Sequence, residues 1–228
     1  MTHVVKHHPG MALLEQYVEG SLSAEVALIV AAHIDFCPHC QSLTKDIQAD
    51  AAAQLAQLPL THTSDDFGAM LSHIMQQEQD FTTRKPTALS NKAAPIPLEV
   101  AGHQFVLPRA LRRIQQQPQR WMQLGGIATC RLAASEPDHA SLLFIDKHTN
   151  VPIHTHKGLE MTLVLSGEMV DENGRYCAGD LIINSPDDTH TPRNISEEPC
   201  LCLSVLSAPL HFTQGLTKLL NPLQRFFY

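Results

Sequence analysis

The sequence predicts an α+β chain of two domains: an all-helical segment over residues 1–81, a linker over 82–97, and an antiparallel β barrel or sandwich over 98–228. Three observations carry this reading. Apolar residues recur at helical spacing through the first third of the chain. A polar, proline-punctuated stretch without any period follows it. Beyond that stretch, short apolar runs alternate with turn residues. A length of 228 residues suits one large domain or two modest ones.

The helices come first. Ala12, Leu13, Tyr17 and Val18, then Leu22, Val26, Ile29 and Val30, mark two short amphipathic helices parted by Gly20. Ser23, with Glu25 behind it, is the expected N-cap of the second. A third helix is expected from Cys40 to Leu58, stopping before Pro59. A fourth carries Phe67, Met70, Leu71, Ile74 and Met75 on one stripe, with Ser64 and Asp65 as candidate caps. The run from Thr82 to Pro97 reads as linker. Strands are expected at Ala140–Ile145, Leu159–Leu165, Leu181–Ile183 and Leu201–Leu206, separated by Asp-Glu-Asn-Gly, Ala-Gly-Asp and Ser-Pro-Asp-Asp turns. A weak last helix falls at Gln214–Leu220.

Composition excludes some classes. Hydrophobic residues make up 43% and charged residues 17% of the chain, a globular balance and not a disordered one. No apolar run has the length of about 18 to 20 residues that a membrane span needs, and the opening Met-Thr-His-Val-Val-Lys lacks the apolar core of a signal peptide. A cytoplasmic chain without membrane contact is expected. The net charge of −7 is unevenly distributed: residues 1–81 hold Lys6 and Lys45 against ten acids, giving −8 and leaving +1 for the remainder. An acidic helical segment cannot displace counterions from phosphate backbones, so direct nucleic-acid binding is not expected. It is suited to covering a basic protein partner.

Six cysteines in a cytosolic chain suggest metal ligands or buried thiols before disulfides. His33, Cys37 and Cys40 form H-x3-C-x2-C. A separation of four residues puts His33 and Cys37 on one helical face, and Cys-x2-Cys is a spacing used by tetrahedral zinc. The fourth ligand is assigned to His8, with His7 as the alternative and His39 third, since its side chain should point away. The competing reading is two buried thiols beside an incidental histidine. A helical unit of about 80 residues is small enough to gain from a structural metal.

A second cluster lies at His154, His156 and Glu160, with Gly167, Gly179, Asp180, Pro186 and His190 behind it. On an extended strand His154 and His156 project from one face. Glu160 follows on the next turn or strand, and barrel closure would bring His190 alongside. Three imidazoles and a carboxylate suit zinc, iron, manganese or nickel.

The H-x-H-x3-E-x6-G run and the later G-D, P and H-x3-N (Gly179, Asp180, Pro186, His190, Asn194) resemble the cupin superfamily. The match departs where His148 replaces the usual glycine, where the Pro186–His190 spacing is one residue short, and where the stretch between motifs is brief. The order of the whole chain, including His7, His8, Ala12, Leu13 and Leu14 at the front and His190-Thr-Pro near the back, resembles the ChrR-like zinc-binding anti-sigma factors. That resemblance implies a small zinc-binding helical domain followed by a cupin barrel (double-stranded β-helix). It implies one zinc at His8, His33, Cys37 and Cys40 and a second at His154, His156, Glu160 and His190. It also implies that the N-terminal helices hold an extracytoplasmic-function sigma factor inactive, and that the cupin domain serves its release by singlet oxygen or related oxidants such as organic peroxide. The expected class is a regulator and not an enzyme.

Cys200 and Cys202 share a face of one strand, as an oxidant-sensing pair would, but the favoured reading is two small buried hydrophobes. Cys130 and Cys177 have only that reading, and His73 is expected to be exposed. The rival function is a cupin dioxygenase or isomerase with a helical appendage. A metal-binding sensor of another small molecule is the third class.

Overall fold

The computed structural model describes residues 4–59, 66–77, 96–114, 119–132 and 138–212. The candidate caps Ser64 and Asp65, most of the expected linker and the weak helix at 214–220 lie outside the described residues.

Helix α1 (Met11–Glu19) ends where Gly20 adopts φ 72°, and the amides of Gly20 and Ser21 return to the carbonyls of Tyr17 and Gln16. This left-handed stop favours glycine and satisfies the last carbonyls. Helix α2 (Ala24–Phe36) opens on Ser23, whose hydroxyl accepts the Val26 amide. It stops at Cys37 (φ −109°, ψ 101°) because the residue before Pro38 is pushed out of helical geometry. Cys37 therefore sits just past the helix end, not on the helical face the spacing suggested. Pro38 starts α3 (Pro38–Ala56), two residues ahead of the expected Cys40. Helix α4 (Asp66–Gln76) exposes Met70, Leu71, Ile74 and Met75.

The described strands of the barrel begin with a hairpin of β1 (Leu98–Val100) and β2 (His103–Phe105), then a 3₁₀ turn at Arg109–Leu111. β3 (Trp121–Leu124), β4 (Ile127–Arg131) and β5 (His139–Ile145) follow, then β6 (His154–His156) and β7 (Glu160–Ser166). A second hairpin joins β8 (Glu168–Val170) and β9 (Arg175–Cys177), ahead of β10 (Leu181–Asn184), β11 (Thr189–His190), β12 (Cys200–Leu206) and β13 (Leu210–Phe212). A six-stranded sheet runs β10-β7-β12-β5-β4-β3, and a three-stranded sheet runs β11-β6-β13. Every pairing among the described residues is antiparallel.

Met1–Gln48 and Pro95–Tyr228 form one compact unit and Ala49–Ala94 a second. This division differs from the expected 1–81, 82–97 and 98–228: α1, α2 and the start of α3 go with the barrel. The physical reason is that α2 is apolar around most of its circumference, and only Ala24 and Asp35 on it are exposed. Ile29 and Val30 share one core with Leu201, Leu203 and Val205 of β12. Cys200 and Cys202 face the other side of the sheet, among Ile145, Val164, Met169 and Tyr176. A strand buried on both faces reads as a continuous apolar run without alternation, as β12 does. Hydrogen bonds fix both ends of α2: Ser23 Oγ donates to Asp138 at 2.6 Å, and the Ala110 amide donates to Asp35 at 2.8 Å.

Candidate metal centres

At the front of the chain, residues 4–10 lie outside any helix or strand ahead of α1 and bring His8 against the α2–α3 junction. His8, His33, Cys37 and Cys40 converge, each offering one ligand atom within 4.8 Å of the others. Cys37 Sγ and Cys40 Sγ lie 3.4 and 3.5 Å from His8 Nδ1, and His33 Nε2 lies 3.3 Å from Cys40 Sγ. A tetrahedral zinc with ordinary bond lengths separates nitrogen and sulfur ligands by roughly 3.5 Å. The His33 Nδ1–H donates to the Gly179 carbonyl at 2.8 Å, which leaves its Nε2 lone pair for the cluster. Burial holds the His33 imidazole at about 4, so it stays neutral as a ligand must. Burial, together with the adjoining Cys37 thiol, pushes Cys40 up to about 12. A cation at this point would reverse that penalty. Two thiols and two imidazoles at these separations fit zinc.

His7 points elsewhere. Its ring meets Tyr176 edge-on with centroids 4.8 Å apart, and its Nδ1 lies 3.4 Å from Asp180. His39 is exposed, and His73 is exposed beside Gln77.

In the barrel, β6 places His154 and His156 on one face, both buried, and the β11 pairing sets His190 opposite His154. Glu160 opens β7. The Nε2 atoms of His154 and His156 each lie 3.1 Å from that of His190. Glu160 Oε2 lies 3.1 Å from His156 Nε2 and 3.3 Å from His190 Nε2. Three imidazole nitrogens aimed at one point and at one carboxylate oxygen form a donor set that fits a divalent transition metal. Burial lowers His154 to about 4. Burial would raise Glu160, but the His190 hydrogen bond and the surrounding imidazoles hold it at about 2.

Outer partners orient these candidate ligands, as is usual around metal-binding histidines. His154 Nδ1–H donates to the Pro152 carbonyl at 2.8 Å, Asn184 Nδ2 donates to Glu160 at 3.0 Å, and Asp171 faces His190 Nδ1 at 3.4 Å while accepting the Tyr176 hydroxyl at 3.2 Å. Sequence reasoning missed Asp171 and Asn184. Their only local signals were a turn motif and a strand end. The motif residue Asn194 is buried but binds the carbonyls of Ile145 and Glu198, so it fastens a loop and touches no ligand. His148 adopts φ 52°, the left-handed conformation that the usual glycine would take without strain. A cavity of about 110 Å³ opens against His154, Glu160 and His190, and its wall is largely apolar, with Ile127, Leu143, Val151, Ile182 and Leu206 among its lining. Cys200 and Cys202 are fully buried with sulfurs 3.6 Å apart. Cys130 is also buried and donates its thiol to Gln119. Cys177 is only partly buried.

A Cys2His2 cluster at the helical front of the chain and a cupin-type barrel with a His3Glu cluster define a zinc-finger-and-cupin protein. Residues 11–41 match a zinc-finger family profile, and residues 110–209 match the ChrR Cupin-like domain. The anti-sigma-E factor ChrR of Cereibacter sphaeroides is 32% identical over 223 residues, covering 97% of this chain and 99% of that protein. The crystal structure of Rhodobacter sphaeroides SigE in complex with the anti-sigma ChrR matches with a TM-score of 0.69 at 27% identity, covering 89% of this chain and 99% of that one. The chain belongs to the ChrR-like anti-sigma factor family.

Proposed function

We propose that this chain is a zinc-dependent anti-sigma factor that binds an extracytoplasmic-function sigma factor through its N-terminal helices. Release would follow exposure to oxidants such as singlet oxygen or organic peroxide. The observation that carries this reading is the near end-to-end likeness to the anti-sigma-E factor ChrR, in a chain that assembles both donor clusters. The charge of −8 over residues 1–81 suits a basic partner. The exposed Met70, Leu71, Ile74 and Met75 stripe of α4 adds an adaptable apolar surface for a protein partner.

The front residues His8, His33, Cys37 and Cys40 would hold zinc and fix the α2–α3 junction. In the barrel, His154, His156, Glu160 and His190 would hold a second metal, zinc or another divalent ion, which supplies a Lewis-acid or redox centre at the cavity wall when bound. The cavity size and apolar wall admit a small organic oxidant and disfavour a large polar one. The other carboxylate among the described lining residues, Asp171, is committed to His190 and Tyr176. That leaves no free carboxylate among the described lining residues to act as a general acid or base, which supports a regulator over acid–base catalysis in the cavity. Among the described residues no single helix is long and apolar enough to cross a membrane. The apolar α2 is accounted for by its burial on the sheet.

Co-expression with the sigma factor of the same operon tests the reading. The two should co-purify at equal stoichiometry, and the complex should block sigma-dependent transcription until oxidant is added. A purified, metal-loaded chain that neither binds that sigma factor nor silences it overturns the proposal.

A further inference from the structure

Both histidines of the front cluster are held in place by a turn of the barrel. Gly179 and Asp180 connect β9 to β10. The Gly179 carbonyl accepts the Nδ1–H of His33 at 2.8 Å. The Asp180 side chain is fully buried, and its Oδ1 accepts the amides of Lys6 at 2.7 Å and His7 at 2.9 Å, immediately before His8. Its Oδ2 closes its own turn by accepting the Cys177 amide at 2.9 Å. The clamp is completed in the other direction, because the Leu181 amide donates to the His7 carbonyl at 3.1 Å. Residues 6–7 are thus laid along the start of β10, an outermost strand of the six-stranded sheet, and supply a partner that a sheet edge otherwise lacks.

The fit at Gly179 is equally close. It adopts φ +96°, and a Cβ there would meet Val5 Cγ2 at 2.7 Å and Phe36 Cβ at 3.0 Å. Val5 lies three residues before His8, and Phe36 directly precedes Cys37. The turn therefore touches the chain beside three of the four candidate ligands.

We propose that the Gly179–Asp180 turn of the barrel is the outer shell of the N-terminal zinc centre, so that zinc retention at His8, His33, Cys37 and Cys40 depends on docking of the front segment onto the barrel. Gly179 and Asp180 are positioning residues in this scheme. The Gly179 carbonyl selects the His33 tautomer and aims its Nε2. Asp180 fixes the backbone that delivers His8. Coupling of this kind is reciprocal: whatever docking adds to zinc affinity, zinc adds to docking. The barrel then has a route to the helical segment through packed, hydrogen-bonded contacts, with no need for a signal to cross the linker. The inference rests on the front cluster binding zinc and is independent of which partner the helices hold.

The test uses the full chain with cobalt(II) in place of zinc. Only the front cluster contains sulfur, so the thiolate-to-cobalt charge-transfer band reports that centre alone, and competition against a chromophoric chelator gives its affinity. Three variants address the turn: Asp180→Ala, Asp180→Asn, and Lys6→Pro, which removes one clamped amide and leaves the barrel sequence intact. Val4→Pro, in the same segment at an exposed position, is the control. Loss of an outer-shell partner commonly lowers metal affinity by about 10- to 100-fold. That loss is expected for Asp180→Ala and Lys6→Pro, with a smaller one for Asp180→Asn, which keeps one acceptor oxygen, and none for Val4→Pro. Removing the front metal from the wild-type chain should also speed hydrogen exchange at the Lys6, His7 and Leu181 amides. Front-site affinity within twofold of wild type for Lys6→Pro, with unchanged exchange at those amides on metal removal, overturns the proposal even if Asp180→Ala does not fold.

Discussion

The two clusters use similar side chains in opposite settings. In the front cluster, the buried candidate ligands His33, Cys37 and Cys40 come from a helix end, a capping residue and the next helix, and His8 arrives from the segment ahead of α1. In the barrel cluster, all four residues stand on strands of one scaffold, and three of them form part of a cavity wall. Closed sites with sulfur ligands are the usual structural zinc centres, whereas reactive sites keep one side open. Under the proposed function, the contrast fits holding at the front and response at the back. It also identifies what each site depends on: the barrel cluster is oriented by its own strands and loops, and the front cluster by a turn from another region.

The largest effect should come from the front. A structural zinc contributes on the order of 10 kcal/mol to folding, and Cys37→Ser with Cys40→Ser removes both thiolates. This double variant is expected to lose one zinc per chain and all binding to the sigma factor, measured by metal analysis and pull-down. Wild-type inhibition with one metal fewer would erase the distinction between a holding site and a responding one.

Removing the barrel metal should act differently. His154→Ala or Glu160→Ala is expected to leave sigma binding within about threefold of wild type, since the α2 packing surface and the Gly179–Asp180 turn remain. Release should fail. In a sigma-dependent reporter strain these variants should stay silent under singlet oxygen or organic peroxide, because a signal shifts an equilibrium only through differential interaction with its two states. Normal induction with confirmed metal loss would remove the barrel cluster from the response.

A third, smaller effect concerns the packing between the regions. Leu203 is fully buried and shares a core with Ile29 and Val30 of α2. Truncating a leucine in such a place costs about 3 kcal/mol, which lowers Tm by roughly 6 to 12 °C in a chain of this size. Leu203→Ala should show that drop by calorimetry, with front-site zinc released in the same transition as barrel melting. Two separated transitions would mean that the helices and barrel fold independently, as the sequence alone suggested.

That suggestion marks the limit of what local pattern reveals. His33, Cys37 and Cys40 were legible because their spacing is short, and His154 with His156 because strands alternate. His190 followed from barrel closure. The α2–sheet packing left a weaker trace: Cys-Leu-Cys-Leu-Ser-Val-Leu in β12 lacks the alternation of a strand with one wet face, and α2 lacks a polar face. Reading α2 as an ordinary amphipathic helix hid that trace. The contacts of Gly179 and Asp180 with residues 5–7 and 33 leave no local trace, since more than 140 residues separate the partners. Cys37 was misplaced on the helix because the ligand spacing outweighed Pro38, whose ring ends α2 one residue earlier.

The smallest effect is the sharpest test of how far the two sites are separate. Asn184 donates to Glu160 at 3.0 Å and stands at one end of β10, while the Gly179–Asp180 turn precedes the other end. Asn184→Ala removes a donor to one ligand and no ligand itself, so barrel-metal affinity should fall by about tenfold, or about 1.4 kcal/mol. The front centre should be unmoved, because Asn184 is not among the groups that hold His8 or His33. Total metal retained against a graded chelator reads the barrel site, and the thiolate-to-cobalt band reads the front. If that band weakens in parallel, strand β10 transmits between the centres and they form one coupled system. If only the barrel affinity falls, transmission must require more than the loss of one outer-shell bond, and a displacement of the strand becomes the step to seek.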